Sequence, residues 1–337
     1  MYDNIILLAH GAGGKKSAEL LRAVFLRHLG NPALALLGDA AILTGIEGRL
    51  AFTTDAFVVA PLFFPGGDIG KLSICGTVND LTAAGARPVA LSAAFIIEEG
   101  LDIGTLEEVV ISMRAAADEV GVSVVAGDTK VVPRGAADRL FITTAGLGII
   151  PPDSTPPAPE RAAPGDAVIV SGALADHGMA VMIQREGLRF SGTIHSDCAP
   201  LYHMIAAVRA VVPEIHAMRD PTRGGLAAVL HELAEQAGVA IEVEEQAIPV
   251  HADVRTACEL LGIDPLHVAN EGKMVLIVPT AHADAALDAL HHHPLGREAA
   301  RIGQVHKAPA GRVHLRTPFG ALRILDLPSG DLLPRIC

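Results

Sequence analysis

The sequence predicts a two-domain protein of mixed helix and strand, and three observations carry that expectation. The chain has 337 residues, more than one hydrophobic core commonly holds. Strand-like and helix-like segments alternate along it. A proline-rich stretch at 151–164, PPDSTPPAPERAAP, interrupts the alternation. Its prolines remove backbone donors and favour extended chain, so it reads as a linker.

Before the linker, 49–60 (RLAFTTDAFVVA) and 87–97 (RPVALSAAFII) read as strands. A helix is expected after Pro65-Gly66-Gly67-Asp68, with Asp68 as its N-cap. Thr105 and Glu108 form a capping-box pattern that would open a helix to about Val120. Residues 122–126 and 139–150 read as strands again. After the linker, 166–172 reads as a short apolar strand and 174–186, 199–211 and 225–237 as helices. The stretch 239–245 alternates like a half-buried strand, and 273–279 is apolar enough for a buried one. GALRILDL, residues 320–327, reads as a last strand ending at Pro328. LPSGDLLPRIC then has two prolines, a glycine and no helical period, and reads as a mobile tail. The expected units are 1–152, a linker at 153–163, 164–320, and a tail at 321–337.

Composition narrows the function classes. The formal net charge is −12, which repels nucleic acid and anionic membranes. It does not repel ATP where Mg²⁺ mediates the contact. Trp is absent and there are only two Tyr, so aromatic stacking platforms are not expected. No apolar run approaches the ~18 residues that span a bilayer. The N-terminus shows no cationic-then-apolar secretory pattern. The four cysteines, Cys75, Cys198, Cys258 and Cys337, have no CxxC spacing, so neither zinc nor a dithiol motif is suggested. A reducing cytoplasm is the expected compartment.

Five aspartates stand out: Asp39, Asp55, Asp80, Asp128 and Asp220. Each neighbours Gly, Thr, Asn or Pro, and each is expected at a strand end or turn rather than on a helix face. Any one alone reads as a cap or turn residue. Together they are a candidate seat for Mg-ATP, because clustered carboxylates repel and a divalent cation relieves the repulsion. Two glycine-rich segments fit phosphate binding. HGAGGKKS (10–17) offers backbone amides with Lys15 and Lys16, although it lacks Walker A spacing. FPGGDIGK (64–71) joins glycines to a helix N-terminus.

Cys337 is the last residue of the sequence. Arg335 is near enough to favour its thiolate, while the terminal carboxylate opposes it. Fully extended, residues 321–337 would reach about 56 Å. Such a tail can present its tip to a site on its own protein and then to a partner.

The run TTDAFVVAPLFFPGGDIGKLSICGTVNDLTAAGA (53–86) resembles the HypE family of hydrogenase maturation factors. AGDTKVV (126–132), DPTRGGLA (220–227), NEGK (270–273), HGAGGK (10–15) and the terminal PRIC (334–337) match as well. The resemblance spans nearly the whole chain. It implies an α+β, PurM-like two-domain fold, that of the aminoimidazole-ribotide synthetase and selenophosphate synthetase superfamily. N-terminal domains would pair across a homodimer, the C-terminal tail would be flexible, and the site would lie between domains and across the dimer interface.

The activity implied is ATP-dependent dehydration of a carbamoyl group on the terminal cysteine to thiocyanate. The carbamoyl group would come from a HypF-type carbamoyltransferase. The cyanide would pass to a HypC–HypD complex that builds the iron–cyanide unit of [NiFe] hydrogenase. The resemblance assigns metal and ATP contacts to Asp39, Asp55, Asp80, Asp128 and Asp220. It extends nucleotide contacts to Asp68, Lys71, Gly127 and Thr129. Cys337 would carry the group, Glu271 is the candidate base, Lys130 a candidate phosphate or amide contact, and 10–16 a candidate lid.

Other features read more plainly. His291-His292-His293 reads as a solvated helix end, Cys75 and Cys258 as small core residues, and 242–245 as the outer face of a strand. Two rivals remain at this point. One is another synthetase of the superfamily, which needs no terminal cysteine. The other is a non-enzymatic carrier of the carbamoyl or cyanide group.

Overall fold

The computed structural model describes residues 4–12, 14–38, 40–188, 194–327 and 335–337. After a 3-10 turn (Leu8–Gly11), the first helical segment, α1 (Lys15–Leu20), continues through a π-helical turn into α2 (Arg27–Leu29). The first sheet follows. Its strands are β1 (Arg49–Phe57), β4 (Arg87–Glu98), β5 (Ser123–Val132) and β6 (Leu140–Ile150), in the order β1-β6-β4-β5. Strands β4 and β5 run parallel, joined over α4 (Ile103–Val120); the other neighbours are antiparallel. A small hairpin, β2 (Phe63–Phe64) and β3 (Gly67–Asp68), leads into α3 (Ile69–Ala83).

Helix α3 is buried at twelve positions. An ordinary surface helix buries only one stripe. This one lies between the first sheet, α4 and the second domain, so nearly every face is covered. Its N-cap is Asp68, as expected, with Oδ1 accepting the Gly70 and Lys71 amides. Helix α4 departs from expectation. Asp102, not Thr105, caps it, and its carboxylate accepts the Thr105 amide at 3.0 Å. An aspartate outcompetes a threonine here because its ionised oxygen answers the helix dipole as well.

The second domain carries β7 (Ala167–Val170), α5 (Asp176–Glu186), α6 (Tyr202–Val211), β8 (Ala217–Arg219), α7 (Gly225–Ala237) and β9 (Ala240–Glu244). Helix α8 (Ala252–Leu261), β10 (Val275–Val278), α9 (Ala283–His291), β11 (Ala300–His306), β12 (Arg312–Arg316) and β13 (Leu322–Ile324) complete it. The sheet order is β13-β12-β9-β11-β7-β10-β8. Strands β7 and β10 are buried at every position, which explains their unbroken apolar runs.

The linker is held rather than loose. Arg209 donates to the Gly85 carbonyl and to Ser154 Oγ, and Arg161 pairs with Glu214 at 2.7 Å. The tail is corrected at its described ends; residues 328–334 lie outside the described residues. Strand β13 belongs to the second sheet, pairing with β12. The last three residues are docked on the first domain, with Ile336 only 2% exposed. The physical reason is edge pairing. Val58 N–H donates to the Cys337 carbonyl and Ala60 N–H to the Arg335 carbonyl, so the tip extends β1's continuation as an antiparallel strand.

Candidate active site between the domains

Three of the five aspartates come together; Asp220 is at a strand end as expected, while Asp55 and Asp80 are not at ends or turns. Asp55 lies within β1 and Asp80 on α3, a helix face; Asp220 directly follows β8. Side chains alternate across a strand. Asp55 therefore points to the helix-covered side of the sheet, where Gly76 of α3 approaches it. Asp80 Oδ2 accepts a hydrogen bond from Thr53 Oγ1 at 2.7 Å.

Burial and mutual repulsion dominate this group. Burial, then Asp80, lifts the Asp55 carboxyl to about 6, against a smaller opposing pull from Arg223. Burial raises Asp80 also. Asp220 is pushed up to about 7 by burial, then by Asp80 and Asp55. Glu271 is only 3% exposed. Burial lifts it well above the carboxylate range, and Cys198, Asp220, Asp197 and Asp55 add to the effect. Its Oε1 is buried without a hydrogen-bond partner.

Carboxyls that repel one another and resist ionisation suit a divalent cation with oxygen ligands. The donors present therefore fit Mg²⁺. Among the described residues no three acidic, histidine or cysteine side chains converge at metal-holding spacing. Nucleotide phosphates would have to complete the coordination, as is usual for Mg²⁺.

The other predicted acids lie elsewhere. Asp39 is outside the described residues. Asp128 sits on β5, at the opposite edge of the sheet. The register runs Asp55–Thr144–Ala93–Gly127, three strand spacings or about 14 Å. Asp128, one residue on, faces the opposite side. It is exposed, with Lys130 Nζ at 3.0 Å. The hydrogen bond from Lys130, then the Thr129 amide, holds its pKa below the usual value. Gly127, Asp128, Thr129 and Lys130 line a cavity of about 270 Å³ with His10 and Gly11. The glycine-rich 10–17 segment and the β5 motif thus do meet.

The 64–71 anion site is corrected. Asp68 already occupies the N-terminus of α3 with its own carboxylate, and Lys71 Nζ donates to the Gly66 carbonyl at 3.1 Å. An incoming anion would meet a carboxyl there. Cys75 and Cys258 are core residues, as expected.

Several residues that build the site went unremarked in the sequence. Asn79, beside Asp80, donates to the carbonyls of Ala199 and Glu271 and accepts the Leu201 amide at 2.8 Å. It fastens the second domain to α3. Asn270 donates to the Pro221 carbonyl at 2.9 Å, which holds the Asp220 turn against Glu271. Asp197 Oδ1 accepts the Glu271 amide at 3.1 Å, and its Oδ2 lies 3.5 Å from Lys273 Nζ. Gly272 is obligatory between them, since a Cβ there would lie 1.8 Å from the Asp197 carbonyl oxygen. NEGK alone hinted at this, through an acid flanked by an amide and a glycine.

Cys337 lies at the edge of this arrangement. The tip runs antiparallel to 58–60, so its free end points down β1 toward Asp55. Asp55 lies three residues beyond Val58, or about 10 Å. The cysteine is partly exposed and packs against the first domain's core. Docking has not shut it away from the acids.

Residues 37–150 match the AIR synthase related protein N-terminal domain, and 163–316 match the corresponding C-terminal domain. The chain is 49% identical over 330 residues to carbamoyl dehydratase HypE of Azotobacter vinelandii, covering 98% of this chain and 96% of that one. A crystal structure of HypE in complex with ATP superposes with a TM-score of 0.95 at 49% identity, covering 98% of this chain and 99% of that one. A HypE–HypF complex matches at TM-score 0.81 and 47% identity, covering 92% and 99% respectively. The chain belongs to the HypE carbamoyl dehydratase family, on the two-domain fold of the AIR synthase related proteins.

Proposed function

We propose that the chain converts an S-carbamoyl group on its own Cys337 into a thiocyanate at the expense of ATP. The γ-phosphoryl group of ATP passes to the carbamoyl oxygen, making that oxygen a leaving group. One N–H proton leaves as that oxygen is phosphorylated; the C–O bond then breaks to release phosphate, the second N–H proton leaves, and S–C≡N remains. ADP and phosphate are the other products. The single observation that carries this reading is the docked tip, whose free end heads along β1 toward Asp55.

Each residue has a task. Asp55, Asp80 and Asp220 would hold Mg²⁺, which neutralises charge on the nucleotide phosphates. Thr53 orients the Asp80 carboxylate. Glu271 accepts the amide proton at Oε1, the oxygen that lacks a partner. Its raised pKa makes it a strong base once ionised. A cation held among the neighbouring acids would lower that pKa and favour the ionised form. Lys130, with Asp128 beside it, contacts phosphate or amide. Gly127 and Thr129 line the nucleotide side.

The chain acts as a homodimer. The open face of the first sheet exposes Leu50 at 56%, Phe52 at 73% and Ile96 at 41%, an apolar patch that calls for a partner. Pairing these faces carries the Asp128–Lys130 edge of one protomer toward the β1 edge of the other. The carbamoyl donor is a HypF-type carbamoyltransferase, a choice supported by the similar HypE–HypF complex. The acceptor is a HypC–HypD complex, and the setting is the cytoplasm. Functional units are 1–152, 164–320 and the terminal segment.

Intact mass spectrometry after incubation with the carbamoyltransferase, carbamoyl phosphate and ATP tests the reading. The expected result is a carbamoyl adduct on Cys337, then loss of one water that requires ATP. An adduct that persists unchanged with ATP, or dehydration that survives Cys337→Ala, overturns it.

A further inference from the structure

The geometry points to His177 as the positioning residue that registers the terminal cysteine in its reactive seat and ties that seat to the segment holding Glu271. This deepens the proposed function and rests on it. His177, on α5, is fully buried. Its Nε2 lies 3.0 Å from the Ile336 carbonyl oxygen and its Nδ1 lies 2.8 Å from Ser196 Oγ. A carbonyl only accepts, so Nε2 carries the proton and donates. Burial favours the neutral ring, although Asp197 and the Ile336 carbonyl pull its pKa upward. In that form Nδ1 is an acceptor, and the Ser196 hydroxyl donates to it.

The bonding continues inward. Ser196 Oγ accepts the Cys198 amide at 3.0 Å, and the Ser196 amide donates to the Pro65 carbonyl at 2.7 Å. Asp197, between them, accepts the Glu271 amide at 3.1 Å. The chain Ile336–His177–Ser196–Asp197–Glu271 is therefore continuous. When the tip docks, its last internal carbonyl completes a network whose far end positions the base. Gly66 permits this packing: a Cβ there would lie 2.6 Å from the Ser196 carbonyl oxygen. Phe64 closes the imidazole's open side, edge-on with centroids 5.3 Å apart. No other side-chain hydrogen bond to the Ile336 carbonyl is found among the described residues.

Thiol labelling of the full-length protein reads this directly. Cys75, Cys198 and Cys258 are buried and Cys337 is partly exposed, so Cys337 labels first. His177→Ala should raise the Cys337 labelling rate about five- to tenfold, the scale of one buried hydrogen bond. It should slow single-turnover dehydration of the carbamoylated protein by at least as much. His177→Gln, whose amide can still donate to the carbonyl, should recover most of both effects. The inference is overturned if His177→Ala labels at the wild-type rate. It is equally overturned if all four cysteines quicken together, which signals general loosening, or if His177→Gln rescues neither rate. Labelling needs no ATP chemistry. Absence of dehydration in the wild type would therefore sink the proposed function while leaving the positioning arm readable.

Discussion

Asp220 and Asp128 bear the same carboxyl group in opposite surroundings. Asp220 sits among Asp55, Asp80 and Glu271, where burial and like charge push it up to about 7. Asp128 is open to solvent beside Lys130, which pulls it down. One carboxyl meets mostly like charge, with a weaker opposing pull from Arg219; the other has a lysine against it. Residue type therefore does not decide the role, and surroundings do. The interdomain acids are buried and repel one another. The β5 pair is an exposed ion pair of opposite charges on a Gly-rich edge. Asp55 and the β5 edge lie about 14 Å apart within one chain, so whether one site draws on both within a chain or across a pair of protomers is open to direct test.

The largest effect is expected at Glu271. Glu271→Gln keeps the shape but removes the proton acceptor, and should slow dehydration by about 10²–10⁴-fold. Nucleotide binding should hold within about threefold, because Gln still fills the pocket. Single-turnover mass spectrometry and a nucleotide titration measure the two. Wild-type dehydration in this variant would remove Glu271 from the mechanism. Mixing protomers tests the separation itself. Glu271→Gln and Lys130→Ala homodimers should each be nearly inactive. If one site draws on both protomers, a random mixture should recover about a quarter of wild-type activity, since half the dimers hold one intact site of two. Recovery no greater than the sum of the parents would place both groups on one chain.

Much of the fold was legible in the sequence. Helix α7 occupies the predicted 225–237, and β1, β4 and β6 begin and end within a few residues of expectation. Local pattern reports local structure, and these elements obey it. The site was legible only as a set of residue types. Asp55 and Asp80 meet because α3 packs across β1, and Asp220 reaches them across 140 residues of chain, a closure no spacing encodes. Asp197 in HSDCAP and His177 in DHGMA carry no periodic or motif signal. Their importance comes from contacts 74 and 159 residues away in sequence. The tail was misread for the same reason. Its composition is that of a loose end, while its docking depends on free amides at Val58 and Ala60.

A moderate effect is expected from the acids' pH dependence. Asp55 and Asp220 have folded-state pKa values of about 6 and about 7, above their unfolded value near 3.9. The stability they contribute is therefore present in full below about pH 4 and lost as pH rises through 6 to 7. In EDTA, the melting temperature should decline over that window, by an amount on the order of 2–4 kcal/mol of stability. Mg²⁺ with nucleotide should restore it. Asp220→Asn should flatten the decline in EDTA and shrink the Mg²⁺-dependent rise. A wild-type melting curve that is flat from pH 5 to 8 without metal would mean the acids are not the repulsive cluster described.

The smallest effect on stability belongs to the β5 pair. Asp128 and Lys130 are both largely exposed, with side chains 64% and 66% accessible, so solvent screens their attraction. Lys130→Ala should change unfolding stability by no more than about 0.5 kcal/mol in a urea titration. The same substitution should cost far more in turnover if the pair contacts phosphate, since transition-state charge is where a fixed cation acts most strongly. That contrast distinguishes the two regions again. Asp220→Asn should change both stability and turnover, whereas Lys130→Ala should change turnover alone. A Lys130→Ala protein as unstable as it is inactive would show that the β5 edge is structural. The nucleotide side of the site would then have to be sought elsewhere along the cavity between the 10–17 segment and the sheet.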